Sequence, residues 1–227
     1  SGSKFVGKDV MQQVHVAAPA KRLMPMIKLG EMLTNPSGTA VHSLYVFSSN
    51  PAITAPDQNV VRNGLMRDDL FTVVHERFFT DTCKYADIIL PATTSVEHDD
   101  IYNSYGHYTI GTGYKLIDPV GESRSNWQVI SELAKRMGLQ DEFFNLSERE
   151  LIEQIVRTSS RISEVDQDVI LQGEPVEMTL PENYKLDFKT PSGKIELYNP
   201  NDVEPLICYL PPYGDNAPFW LIIGNDI

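Results

Sequence analysis

The sequence predicts an α/β fold: an open, mostly parallel sheet with helices on both faces, followed by a C-terminal β-hairpin extension. Two observations carry this. The strands read as short, nearly continuous apolar runs, "SLYVF", "LFTVV" and "DIILP", as strands buried on both faces of a parallel sheet do. Helical or turn-forming segments separate them in strand–helix–strand order, the arrangement of βαβ units.

Taken in order, residues 1–42 are mixed, and "AKRLMPMIKLGEML" has helical apolar spacing interrupted by Pro25. "SLYVFSSNP" gives the first strand, closed by a Ser-Ser-Asn-Pro turn. Pro56 and Asp57 start a helix through "DQNVVRNGLM", with Val60, Val61 and Leu65 along one side. "LFTVVHE" is the second strand; Thr80 caps a short turn over residues 81–85; "DIILP" is the third strand. The aromatic stretch "IYNSYGHYTIGTGYKLI" reads as irregular. Ser125 then starts a strong helix with a core face of Trp127, Ile130, Leu133, Ala134 and Met137, and Gly138 stops it. Ser147 and Glu150 form a capping box for the next helix. "YKLDFKTPSGKIELY" alternates on both arms of a hairpin around Thr-Pro-Ser-Gly. The Pro-rich "EPLICYLPPYGDNAP" is a linker to a last apolar strand, "PFWLIIGNDI".

Composition narrows the function. The net charge of -12, from 31 acidic against 19 basic residues, argues against nucleic acid or an anionic membrane as the main partner. Two distant cysteines, Cys83 and Cys208, provide neither a disulfide framework nor metal-ligand spacing. No apolar run approaches the roughly 20 residues of a membrane span. The opening "SGS" reads as a vector scar, and the last strand lacks a pairing partner. Both ends therefore suggest an excised piece of a longer protein.

Ligands of open, Rossmann-like sheets bind beyond the carboxyl ends of the strands. Behind the first strand stand Ser48, Ser49 and Asn50; His75 and Glu76 end the second; Thr93, Thr94, Ser95 and then Glu97-His98-Asp99-Asp100 follow the third. Amide, hydroxyl, imidazole and carboxylate groups on one rim suit a nucleoside base and ribose. Each has a plainer reading. Asn-Pro is a common turn, and the acidic run suits a solvated loop or a helix N-terminus. A metal site from His98, Asp99, Asp100 and His107 has no diagnostic spacing. An acid/base pair of the adjacent Glu97 and His98 is thinly supported. "GTGYKL" lacks the third glycine of a dinucleotide fingerprint and follows the strong strands, so it is rejected as one.

Four blocks together, "SLYVFSSNPAITAPDQNVV", "FTVVHERFFTDTCKYADIILPATTSVEHDDIYNSYGH", "PVGESRSNWQVISELAKRMGL" and "FKTPSGKIELY", resemble successive segments of the molybdopterin (dimethyl sulfoxide reductase) oxidoreductase family. The resemblance runs from about residue 40 to 200. It implies a fragment of a larger enzyme carrying bis(molybdopterin guanine dinucleotide) with molybdenum or tungsten. The fragment would be a third, cofactor-binding domain over residues 1–145, with a helical and hairpin extension at 146–204. A linker and the first strand of a truncated domain would occupy 205–227. The metal ligand and any iron–sulfur cluster would lie in the absent part. Alone, the fragment would be inactive and without bound cofactor.

Carried over by position, the resemblance nominates Asn50, His75, Glu76, His98 and Asn126 as cofactor-binding residues, with no catalytic and no metal-ligating residue. His75 and Glu76 stand where the family often has Ser or Gln followed by Asp. His98 replaces a frequent Lys, and Asn126 a frequent Asp. The remaining parent domains and an unidentified small substrate are the implied partners, with cytoplasmic localisation. Competing readings are a nucleotide- or NAD-binding domain of another enzyme and a non-catalytic interaction module.

Overall fold

The computed structural model describes residues 24–34, 40–103, 106–178, 180, 186–188 and 190–199. Its contacts divide the chain into two units, residues 1–179 and 180–227.

The first unit contains the expected parallel sheet. Strands β1 (Ser43–Phe47), β2 (Phe71–Glu76) and β3 (Ile88–Pro91) lie side by side in that order, all parallel. Between β1 and β2 run two helices, α2 (Pro51–Thr54) and α3 (Gln58–Leu65), preceded in the chain by α1 (Leu29–Thr34). Of these three helices, the short α2 lacks a counterpart in the sequence reading. A 3-10 turn at Asp81–Tyr85 joins β2 to β3; Thr80 stands at its N-cap, but its side chain makes no capping bond.

Strand alternation divides the sheet's residues between two faces. Val46 and Val74 face a core with Cys83. Leu33, Ala52, Ala55, Val61, Leu65 and Leu70 form the layer of helices beside it. Burial of each Val or Leu side chain contributes about 1.5–3 kcal/mol. Helices α1 and α3 approach most closely at Gly64, where a Cβ would overlap that of Leu33. On the opposite face, helix α4 (Asn126–Arg136) stands across a groove of about 670 Å³ lined by Tyr45, Phe71, Val73, Ile88 and Leu90, with Val129 and Leu133 of α4.

That groove corrects one expectation. Ile130, Leu133 and Met137 are 42%, 46% and 71% exposed, so much of the predicted core face of α4 is uncovered. Within that stripe Ala134 is buried. Trp127 instead packs edge-on against Phe143, and its Nε1–H donates to the Leu146 carbonyl (2.7 Å). The ends of α4 follow the sequence: Ser125 and Gln128 form a capping box. Gly138 (φ 85°) closes a Schellman turn, with Leu139 N–H donating to Ala134 O.

The stretch read as irregular supplies two strands of a second, antiparallel sheet. This sheet comprises β4 (Asp100–Asn103), β5 (Thr109–Gly113) and β6 (Val176–Glu177), in that order. Its strands are short and β5 carries two glycines, which weakens the sequence signal. The glycines of "GTGYKL" have packing roles there: a Cβ at Gly113 would meet Tyr102 Cε2 at 2.5 Å. Helices α5 (Glu148–Thr158) and α6 (Gln167–Leu171) close a second core of Ile110, Ile152, Val156, Ile162 and Ile170. The predicted capping box of Ser147 and Glu150 starts α5.

In the second unit, Thr190–Lys194 makes a tight turn where the sequence predicts that of the hairpin, with Gly193 at φ 66° and its N–H on Thr190 O (3.0 Å), while residues 194–197 of the expected second arm carry no strand. Part of the hairpin's first arm lies outside the described residues, as do the Pro-rich linker and the last apolar strand.

Candidate functional site

Parallel strands bring their carboxyl ends to one edge, and β1, β2 and β3 do so here. The ladder continues one step past the strands: Ala92 bridges in parallel to Arg124, placing the start of α4 beside the end of β3. Ser48 leaves β1 in a left-handed conformation (φ 48°), unusual for a residue with a side chain. Its N–H donates to His75 O (3.3 Å), which holds the turn after β1 against the end of β2.

Asn50 follows that turn, and its side chain is already engaged. Oδ1 accepts from both the Thr82 amide (3.1 Å) and the Thr82 hydroxyl (2.7 Å). The same hydroxyl oxygen accepts from Ala52 N–H (3.2 Å). Asn50 thereby ties the turn after β1 to the segment after β2, and Nδ2 is the atom left for anything else.

His75 and Glu76 are neighbours that face opposite ways, as strand alternation requires. His75 is fully buried, and its Nε2–H donates to the Arg124 carbonyl (3.1 Å). Because that carbonyl can only accept, the proton sits on Nε2. Nδ1 meets no hydrogen-bond partner among the described residues. Glu76 ends the strand with a side chain only 8% exposed; Oε1 accepts the Arg77 amide (2.8 Å), and Arg77 Nε stands 3.7 Å away.

The acidic turn after β3 is internally bonded. Glu97 Oε2 accepts the Thr94 amide and hydroxyl (2.6 Å each), and Oε1 accepts the Val120 amide (2.8 Å). The Thr94 hydroxyl, then the Thr94 and Val120 amides, hold this carboxyl below the usual range. His98 Nδ1 shares a 2.9 Å hydrogen bond with Thr93 Oγ1, and Thr93 N–H donates to the Arg124 carbonyl (3.2 Å). The Arg124 carbonyl thus joins His75 to the turn that carries His98. Asn126, the first residue of α4, is exposed beside this junction.

Four nominated residues, His75, Glu76, His98 and Asn126, lie around the ends of β2 and β3 and the start of α4. Asn50 belongs to the adjoining β1 turn. His107 lies elsewhere, in the β4–β5 connection, its Nδ1 accepting from Thr109 N–H (3.2 Å). Among the described residues no three His, Cys, Asp or Glu side chains gather as metal ligands. Likewise, no helix among them is long and apolar enough to cross a membrane.

Sequence reasoning passed over Thr82, Arg77 and Glu148. Arg77 could have been found as a cation directly behind a strand. Glu148 stands beside the recognised Ser147 cap. Thr82 carries no local signal, and the part played by Arg124 is a main-chain carbonyl, which no side-chain pattern reveals.

Comparisons with known proteins agree on one family. The sequence profile described as molybdopterin oxidoreductase matches residues 2–136. Probable oxidoreductase YoaE of Bacillus subtilis (strain 168) is 38% identical over 213 residues, 90% of this chain and 31% of the relative. Probable oxidoreductase YyaE of the same organism is 34% identical over 183 residues, 77% of this chain and 26% of the relative. Among solved structures, acetylene hydratase from Pelobacter acetylenicus superposes with a TM-score of 0.64 at 25% identity, over 77% of this chain and 24% of that one. The chain thus spans about a third or less of the length of these relatives.

Proposed function

The chain belongs to the molybdopterin oxidoreductase family, and on that premise we propose that its residues 1–145 hold the guanine nucleotide end of a molybdopterin guanine dinucleotide. The observation that carries the reading is the nearly buried carboxylate of Glu76 at the carboxyl edge of the parallel sheet, beside Arg77, with the exposed Asn126 at the start of α4. Crevices at such edges are where open α/β sheets take nucleotides, and the sheet serves here as a Rossmann-like core. The donor set fits the group. A carboxylate accepts from the guanine N1–H and amino group or from ribose hydroxyls, a carboxamide pairs with a base edge, and a guanidinium meets phosphate.

Glu76 and Asn126 are assigned to base or ribose, Asn50 to contact through Nδ2, and His98 to the lip of the crevice. His75, being buried, is assigned support of the Arg124 carbonyl rather than contact. In the whole protein the bound group would supply a molybdenum or tungsten centre for electron transfer, in bis-cofactor form and with any iron–sulfur cluster outside this chain. This chain's part is to bind and orient one end of it. The remaining parent domains complete the pocket, and the parent is proposed to act in the cytoplasm as an oxidoreductase.

Titration with GMP and GDP, with AMP and NAD as controls, tests the reading by amide chemical shifts. Guanine-selective shifts at Asn50, Glu76 and Asn126 are expected. Glu76→Ala should weaken GDP binding roughly 10-fold or more, since hydrogen bonds to a charged group contribute about 1.5–3 kcal/mol. Preference for AMP or NAD would point to a different nucleotide-binding enzyme, and shifts confined to other surfaces would refute the site.

A further inference from the structure

We infer that Glu148, the first residue of α5, is a positioning residue that holds both loops flanking the nucleotide rim; the inference rests on the reading above. Its two carboxylate oxygens serve two different segments. Oε1 accepts from the Ser125 hydroxyl, and Oε2 accepts from the Asp99 amide (3.2 Å). These partners lie 23 and 49 residues away in sequence. Ser125 is the N-cap of α4 and immediately precedes Asn126; Asp99 immediately follows His98. One side chain therefore fixes the spacing between two nominated contact residues on separate loops.

The chemistry suits a carboxylate. Ser125 Oγ accepts from Gln128 N–H (3.2 Å) in capping α4, so its single proton is available for Glu148. The Asp99 amide is likewise a donor, so the site needs two acceptors facing two donors, which Glu supplies and Gln does not. Asp99 extends the strap: its Oδ1 accepts the Lys115 amide (2.8 Å), tying in the segment that leaves β5. Glu148 is anchored because α5 buries Ile152 and Val156 in the core of the second sheet. The second sheet thus has a stated task, to brace the rim of the first. The negative charge of Glu148 also stands by the N-terminus of α4, where it complements the helix dipole. A ligand phosphate is thereby directed away from that terminus, which leaves Asn126 to the base or ribose.

Glu150→Ala provides the control. Glu150 caps the same helix through Ser147 (2.8 Å to its amide) and, among the described residues, its hydrogen bonds go to Ser147 rather than to either rim loop. Amide exchange without nucleotide, urea stability and GDP affinity would be measured for Glu148→Ala, Glu148→Gln and Glu150→Ala. Expected for Glu148→Ala is exchange at Asp99 accelerated about 10-fold or more, with several-fold weaker GDP binding. Glu148→Gln, keeping one acceptor, should recover part of both effects. Glu150→Ala should change neither beyond what its loss of stability predicts. Unchanged Asp99 exchange in Glu148→Ala, or equal acceleration in Glu150→Ala, overturns the inference. If the wild type binds no guanine nucleotide but the exchange contrast holds, the bracing role stands and the nucleotide reading falls.

Discussion

Replacing Asn50 with Ala separates its two possible tasks, holding the rim together and touching a ligand. The substitution removes the one acceptor that, among the described residues, serves the Thr82 amide and hydroxyl protons, which reach Asn50 Oδ1 at 3.1 and 2.7 Å. Thr82 is fully buried, so water cannot readily replace the lost partner. Each buried donor left unpaired costs about 1–3 kcal/mol. The hydroxyl can turn and keeps its acceptor contact with Ala52 N–H, so the sum should be roughly 2–4 kcal/mol. Urea unfolding followed by circular dichroism should give a lower midpoint with an unchanged slope. Asn50→Asp retains an acceptor in the same place and should stay within about 1 kcal/mol of wild type. A double cycle with Thr82→Ala should be non-additive by about 1 kcal/mol or more. A loss below about 0.5 kcal/mol for Asn50→Ala, the range of ordinary surface substitutions, or additivity in the cycle, would refute the latch.

Two further outcomes join those already given for Glu76 and Glu148. Glu97 is held below the usual carboxylate range by Thr94 and Val120, so its ionised form is favoured by folding. That stabilisation is fully present above the unfolded value, about 4.3, and is lost as pH falls through the depressed folded value. The gap in urea midpoint between wild type and Glu97→Gln should therefore be flat from pH 7 to about 5 and close in more acidic solution; a gap that persists unchanged in strong acid would sink the account. At the contact of α1 and α3, Gly64→Ala places a methyl group against Leu33. Overpacking costs about 1–3 kcal/mol against up to about 1 kcal/mol gained in helix propensity, so thermal unfolding should occur at lower temperature. A rise in Tm would mean the two helices separate freely.

Much of the fold was legible because its signals are local. The apolar runs of β1, β2 and β3, the caps at Ser125 and Ser147 and the stop at Gly138 each depend on residues within one turn or one strand. The second sheet was not legible, since β4 and β5 are short and Gly111 and Gly113 dilute the strand pattern. The exposed face of α4 was misjudged for a related reason: helical spacing at Ile130, Leu133 and Met137 identifies an apolar stripe, but what it meets is set by the rest of the structure. At the candidate site, the location followed from strand order, while the uses of the side chains did not.

What the sequence determined by itself, then, was the order and kind of the principal elements and the edge at which polar groups collect. Those follow from backbone periodicity, caps and the rule that parallel strands share a carboxyl end. Tertiary structure decided which groups face that edge. His75 turns inward to the Arg124 carbonyl while Glu76, one residue on, ends at the rim. Asn50 is bound to Thr82, and Glu148 bridges Ser125 and Asp99. Each of these bonds joins residues at least 23 positions apart, and such pairs meet only after the two sheets and their helices have packed.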